Sequence, residues 1–258
     1  MTQIFKNIRR FFPVWLYLTW TNISVYTRGS YLGVFWTLLF PLLQMFIFLA
    51  IFSSIFNNSS LQLFYAVAPS LFAWNFFVKT TTALCTCLDA SAIKMTAVPN
   101  LLFPLARVFD DFPAFLVGFI CIIGGRLVFT GVVPWIFIFH SFAFVFLFLL
   151  FIVGVGLALS SFQVFFRDTS YIWNLFCQTG IFVTPVFFPE SFITESRYWH
   201  LLRWNPLFYF LKSFRDPLIF GELPAFGVTL TCVLLAFCCF GVGMTIFSRL
   251  NRYFINYL

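Results

Sequence analysis

The sequence predicts an all-α integral membrane protein: six transmembrane helices, an amphipathic amino-terminal interfacial helix and re-entrant helices before the last span. Three observations predict it. Of 258 residues, 62% are apolar and only 9% are charged, with mean hydropathy +0.98; a soluble domain carries about a quarter charged residues. The charges are spaced so that the stretches between them match one or two crossings at ~20 residues each. The basic residues also divide unevenly between the alternate connections, which gives the chain a direction.

The elements follow in order. Residues 1–28 form a cytoplasmic interfacial segment. Within it, Ile4, Phe5, Ile8, Phe11 and Phe12 share one helical side and Lys6, Asn7, Arg9 and Arg10 the other, the pattern of a helix lying in the membrane surface. This basic stretch runs into Pro13 and Trp15 with no small-residue cleavage site, so no cleaved signal peptide is read from it. The uncharged run from Arg28 to Lys79 has room for two spans, 32–56 and 62–84. They are separated by a polar turn of Ser53, Ser54, Asn57, Asn58, Ser59, Ser60 and Gln62, costly to place in hydrocarbon.

Asp111 and Arg126 stand too close together for a full crossing between them. The third span, 112–134, therefore absorbs Arg126, which snorkels outward or pairs with an acidic residue of the outer segment. The uncharged run from Arg126 to Arg167 supplies the remainder of that span and a fourth, 141–165. A fifth, 169–188, fills the run between Asp168 and Glu190, and a sixth, 225–248, the run between Glu222 and Arg249. Residues 189–223 are too charged to span and too apolar for a free loop. Pro189, Pro206 and Pro217 divide them into two short helices that dip into the outer leaflet and return. Gly154 with Gly156, and Gly241 with Gly243, are spaced for close helix approach.

With both termini cytoplasmic, ten basic residues fall inside, four (Arg197, Arg203, Lys212, Arg215) outside, and Arg126 within the membrane. The outer four share their segment with Glu190, Glu195, Asp216 and Glu222, so that segment is formally neutral.

Several chemistries are excluded. No Gly precedes a Lys, so the phosphate-cradling G-x-x-x-x-G-K-S/T loop is absent and any ATP must be handled by a partner. The two histidines and seven cysteines have no metal-ligand spacing, and the cysteines read as small packing residues. No carboxylate stands at mid-span, which argues against an ion-driven carrier. No nucleophile-elbow or metalloprotease spacing occurs. The chain reads as a non-enzyme with no metal or cofactor of its own and no nucleic-acid role.

Four segments taken together carry a family resemblance. The first is Tyr26-Thr-Arg28-Gly-Ser30-Tyr31-Leu32-Gly33, running through Trp36 to Pro41-Leu-Leu. The second is Phe72-Ala-Trp74-Asn75-Phe76-Phe77, and the third Ala92-Ile93-Lys94-Met95 through Pro99-Asn100 to Phe103-Pro104-Leu105. The fourth is Phe165-Phe166-Arg167-Asp168, then Thr184-Pro185, then Trp204-Asn205-Pro206-Leu207 with Arg215-Asp216 beyond. In this order and spacing they resemble the ABC-2 type permease subunits of polysaccharide ABC exporters, most of all the O-antigen (lipopolysaccharide) export permeases. Related capsule and teichoic-acid exporters are the alternative. The chain departs from the family pattern at Met95, Val98 and Asn100, where basic or aromatic residues are usual, and at Thr21-Asn22-Ile23-Ser24.

The resemblance implies a homodimer in the bacterial inner membrane, two copies of a separate ATPase subunit that hold ATP and Mg, and a lipid-linked polysaccharide as substrate. Residues 86–104 and 164–172 resemble the coupling elements, with Lys94, Pro99, Pro104, Arg167 and Asp168 as candidates. Pro99 and Pro104 would stop helix continuation there. Arg167 and Asp168 either pair, or Arg167 meets the ATPase while Asp168 caps the fifth span. Arg9, Arg10 and Arg28 are the candidates for the pyrophosphate, because guanidinium groups bind phosphate bidentately. Phe35, Trp36, Trp74 and Phe77 are the candidates for lining the path, since aromatic rings pack on sugar faces. Tyr198, Trp199, Trp204, Phe208, Tyr209 and Phe210 are the candidates for an outer gate. A reading from another class, a membrane-embedded glycan-modifying enzyme, would have to use Glu190, Glu195 and His200.

Overall fold

The computed structural model describes residues 11–21, 35–52, 60–88, 98–130, 135–187, 199–219, 221 and 223–257. Among them every regular element is helical. In chain order these are α1 (11–21), α2 (Phe35–Phe52), α3 (Ser60–Cys85), α4 (Leu102–Arg107), α5 (Phe112–Thr130), α6 (Trp135–Phe165), α7 (Thr169–Val183), α8 (Trp199–Trp204), α9 (Pro206–Ile219) and α10 (Phe226–Leu250). A 3₁₀ turn, Asn251–Tyr253, and a last turn α11, Phe254–Tyr257, follow.

α3 is the central element, packed against α2, α5, α6, α7 and α9. Its inward face buries Val67, Leu71, Trp74, Phe77 and Leu84. Around it the core is a continuous aromatic stack. Phe76 and Phe115 stack at 4.5 Å, Phe77 lies 6.0 Å from Phe151, and Phe210 of α9 meets Phe148 and Phe151 at 5.3 and 5.0 Å. Lipid tails are as apolar as these rings, so such a core is held by close packing and ring geometry rather than by exclusion of water.

α10 runs along α6, and the contact depends on two glycines. A Cβ at Gly243 would overlap the carbonyl of Gly154. Gly156 is likewise filled against Leu84, whereas Gly241 has open space around it and takes no part in the close approach expected of it. All seven cysteines are free, and Cys85, Cys87, Cys177 and Cys232 are buried. Burial pushes the Cys87 thiol, beyond the end of α3, well up from its ordinary value, so it stays protonated.

Helices occupy each of the six stretches expected to span. Among the described residues two, Ile138–Phe165 and Phe226–Tyr253, are long and apolar enough to cross a membrane by composition. Several boundaries differ from expectation. α3 takes in Gln62 from its start at Ser60, so the polar turn ends earlier. α6 begins at Trp135, because nothing between there and Ser141 is charged or breaks a helix. α7 stops at Val183, short of 188. Pro185 drives Thr184 into extended backbone (φ −95, ψ 137) and ends the helix. At 15 residues α7 is about 22 Å long.

The amino-terminal amphipathic stretch lies mostly outside the described residues. The described helix is α1, over 11–21. It exposes Phe12, Leu16, Tyr17 and Trp20 on one side and sets Trp15 edge-on to Phe109 at 5.4 Å on the other. A stripe of exposed aromatic rings with one packed face suits a helix at the membrane interface.

Candidate functional site

The connections leading into α4 and α7 are built from short-range backbone economy. Lys94 lies outside the described residues. Pro99 is exposed, and its carbonyl accepts from Leu102 N–H at 2.9 Å, opening α4. Pro104 does not stop the helix as expected. It sits buried in the first turn of α4, where a missing N–H costs nothing because that group has no intrahelical acceptor. Behind it Arg107 Nη1 donates to Asp110 Oδ2 at 2.9 Å, and the Asp110 carboxylate is shielded from solvent. Asp111, just before α5, shares a small pocket with Lys79 and Asn75. Burial pushes its carboxyl upward and the nearby Lys79 ammonium partly offsets this.

Arg167 and Asp168 are both exposed, and among the described residues no ion pair joins them. Asp168 occupies the N-cap position of α7 but makes no side-chain cap bond. Its backbone is helical (φ −77, ψ −8), whereas a capping side chain reaches N2 or N3 from extended backbone. Gln163 serves instead, its Oε1 accepting from Ser170 N at 2.8 Å while its Nε2 donates to the Arg167 carbonyl at 3.0 Å. No sequence signal marks a cap that comes from the preceding helix.

The path candidates separate by depth. Phe35 is exposed; Trp36 lies in α2, and its side chain is outside the described set. Trp74 and Phe77, on α3, are buried inside the chain's own helix packing. Phe77 meets Trp173 of α7 edge-on at 6.0 Å, and Trp173 Nε1 donates to Thr81 Oγ1 at 2.9 Å. Asn75 Nδ2 donates to Gln44 Oε1 at 3.1 Å and ties α3 to α2. Beside α7, Phe162, Phe166, Ile172, Trp173 and Phe176 line a wide open groove whose lining also includes Asp168 and Thr169.

The segment between α7 and α10 holds two described helices, as expected, but its punctuation differs. Pro206 opens α9, whereas Pro217 is contained in that helix, within its last turn. Asn205 stands in the break. Its Nδ2 donates to Thr184 Oγ1 at 2.8 Å and its Oδ1 accepts from Leu207 N at 3.0 Å. Arg215, buried in α9, donates through Nη1 to the Pro185 carbonyl at 3.3 Å and lies 3.9 Å from Asp216. Lys212 pairs with Asp216 at 3.4 Å. Asn205 and Arg215 thus both seize the Thr184–Pro185 turn that ends α7. Asn-Pro at a helix start was a readable cap signal; the partner Thr184, on the far side of the whole preceding connection, was not.

The gate candidates divide accordingly. Tyr198 lies outside the described residues, and Trp199 opens α8 with its side chain outside the described set. Trp204 is 87% exposed, Tyr209 is half-buried and donates its hydroxyl to the Arg203 carbonyl at 3.1 Å, and Phe208 and Phe210 are buried. Near the end of α5, a Cβ on Gly221 (φ +70) would stand 3.2 Å from Arg126 Nη2, which places that guanidinium against the connection between α9 and α10. Arg9, Arg10 and Arg28 lie outside the described residues.

The sequence model of a family described as "ABC-2 type transporter" matches residues 13–219. Among curated proteins the chain is similar to the O-antigen export system permease protein RfbA of Klebsiella pneumoniae, with 26% identity covering 98% of this chain and 97% of that protein.

Proposed function

The chain belongs to the ABC-2 type transporter family, and from that premise we propose that it is the permease of an ATP-driven exporter carrying lipid-linked polysaccharide of O-antigen type across a bacterial inner membrane. It is a membrane-embedded transport subunit without catalytic activity, and permeases of this family pair with ATPase subunits. The finer reading is a homodimer of six-span chains with both termini cytoplasmic and two ATPase subunits beneath. ATP and Mg reside on those subunits, and the chain carries no cofactor.

The observation that carries the polysaccharide reading is the end-to-end likeness to an O-antigen export permease, over 98% of this chain. The geometry supports the coupling part of the proposal in two places. Arg167, Asp168 and Pro99 are exposed at the inner connections, where an ATPase can reach them. The outer helices grip the end of α7 through Asn205 and Arg215, so an inward push on α7 is carried to the gate as a rigid-body shift. Arg9, Arg10 and Arg28 are assigned to the pyrophosphate head. Phe35 and Trp36 are assigned to the path, with Trp74 and Phe77 stiffening the wall behind it through Trp173. The rings of 198–210 form the outer gate, and Lys94, Pro99, Pro104, Arg167 and Asp168 belong to the coupling region.

The test is the location of lipid-linked glycan in a strain lacking this gene, read with a glycan-specific probe on intact and permeabilised cells. Export requires glycan visible only after permeabilisation. Normal surface glycan overturns the proposal.

A further inference from the structure

The carboxy-terminal turns do not trail away from the last span. Asn100 Nδ2 donates to Asn251 Oδ1 at 2.7 Å, joining residues 151 positions apart. Phe254 is fully buried against Phe247 at 5.6 Å and Phe165 at 6.1 Å, and Tyr257 meets Phe165 edge-on at 4.8 Å. A second, smaller apolar core forms there from Cys87, Leu88, Leu157, Val164, Phe247 and Phe254. The tail is thus fixed beside both connections assigned to coupling, 98–107 through Asn100 and 165–168 through Phe165.

What this packing leaves outward is charged. Arg249, Arg252, Arg167 and Asp168 are exposed, as are Tyr253 and Tyr257, and the Arg252 guanidinium lies 5.0 Å above the Tyr253 ring. A cation held over an aromatic face is preorganised for a partner. Three guanidinium groups against one carboxylate make the patch basic. We infer that Arg249–Tyr257 forms, with Pro99–Arg107 and Phe165–Asp168, one docking surface for the ATPase subunit, meeting an acidic patch on it.

This rests on the reading that 86–104 and 164–172 face the ATPase. A basic juxtamembrane segment also suits anionic lipid, but a lipid-binding tail needs only its charge. Here a side-chain hydrogen bond and a buried phenylalanine fix its position relative to two other elements, which a protein partner requires and a bilayer surface does not.

The experiment places a photo-crosslinking amino acid at Tyr253, at Pro99 and at Phe226, the exposed residue opening the opposite end of α10, in the assembled complex. Adducts are identified by peptide mass spectrometry against the subunit that carries the P-loop. Adducts from Tyr253 and Pro99 but not Phe226 support the surface. Adducts from Pro99 alone leave the coupling reading standing and overturn the tail's part in it. Adducts from neither overturn both, and phospholipid adducts from Tyr253 assign the tail to the bilayer and overturn the proposal. Separately, Arg249→Glu with Arg252→Glu should lower ATPase copurification about tenfold at low salt, with unchanged permease level, and flatten or reverse its dependence on added NaCl, because salt screens an attraction in the native complex and a repulsion in the variant. Copurification equal to the native complex overturns the charge assignment.

Discussion

Asn205 and Thr184 are joined by a 2.8 Å side-chain hydrogen bond that fastens the break between α8 and α9 to the residue terminating α7. The same asparagine accepts from Leu207 N–H and so starts α9. One side chain thus sets where α9 begins and where it is held.

Asn205→Ala removes both bonds and should lower stability by about 1–2 kcal/mol, while Thr184→Val, which loses one, should cost about 1 kcal/mol. The double variant should cost less than the sum. Thermal unfolding of the three variants in lipid nanodiscs measures the coupling; strict additivity would mean that the pair contributes nothing.

Gly243 and Gly241 lie two positions apart on α10 and should respond very differently. Gly243→Ala drives a methyl into the Gly154 carbonyl and should destabilise by about 1–3 kcal/mol as the helices are forced apart. Gly241→Ala meets open space and should stay within about 0.5 kcal/mol of the native chain. Comparison of their melting temperatures checks both.

Gln163→Leu should fray the start of α7, because Ser170 N–H and the Arg167 carbonyl lose their partner together. The expected cost is about 1 kcal/mol. Asp168→Ala, which deletes no cap bond, should change stability far less. Hydrogen exchange at the first turn of α7 separates the two; equal protection in both variants would contradict the assignment.

Asp111 predicts a pH effect. Its folded carboxyl is held above its ordinary value of 3.8, chiefly by burial, with Lys79 pulling the other way. An acid raised on folding contributes stability below its unfolded pKa and loses it as pH rises through the folded one. Relative to Asp111→Asn, the native chain should therefore lose stability as pH climbs from about 3.8. The difference in melting temperature between the two, followed from mildly acid to neutral pH, measures this; a flat difference would deny the shift.

The membrane class, the helical stretches and the family were legible because they are carried by one-dimensional quantities: apolar run length, charge spacing and short motifs in order. Pro185 as the end of α7 was also local in origin, yet the expected span overran it because run length ignores backbone restriction. Pro104 and Pro217 were misjudged for the complementary reason. A proline in a first turn, or one whose lost bond neighbours can replace, does not end a helix, and only the surrounding backbone says which case applies.

The sequence by itself determined that the chain lives in a membrane and where its helices lie, because each follows from how many apolar or charged residues stand in a row. The tertiary structure alone decided that Gly243 and not Gly241 meets Gly154, that Gln163 and not Asp168 caps α7, that Trp74 and Phe77 are interior, and that Asn251 lies beside Asn100. Each of these depends on the rotation and crossing of helices far apart in the chain. Inside a bilayer nearly every face of a span is apolar, so hydrophobic pattern carries little rotational information, and close packing sets it instead.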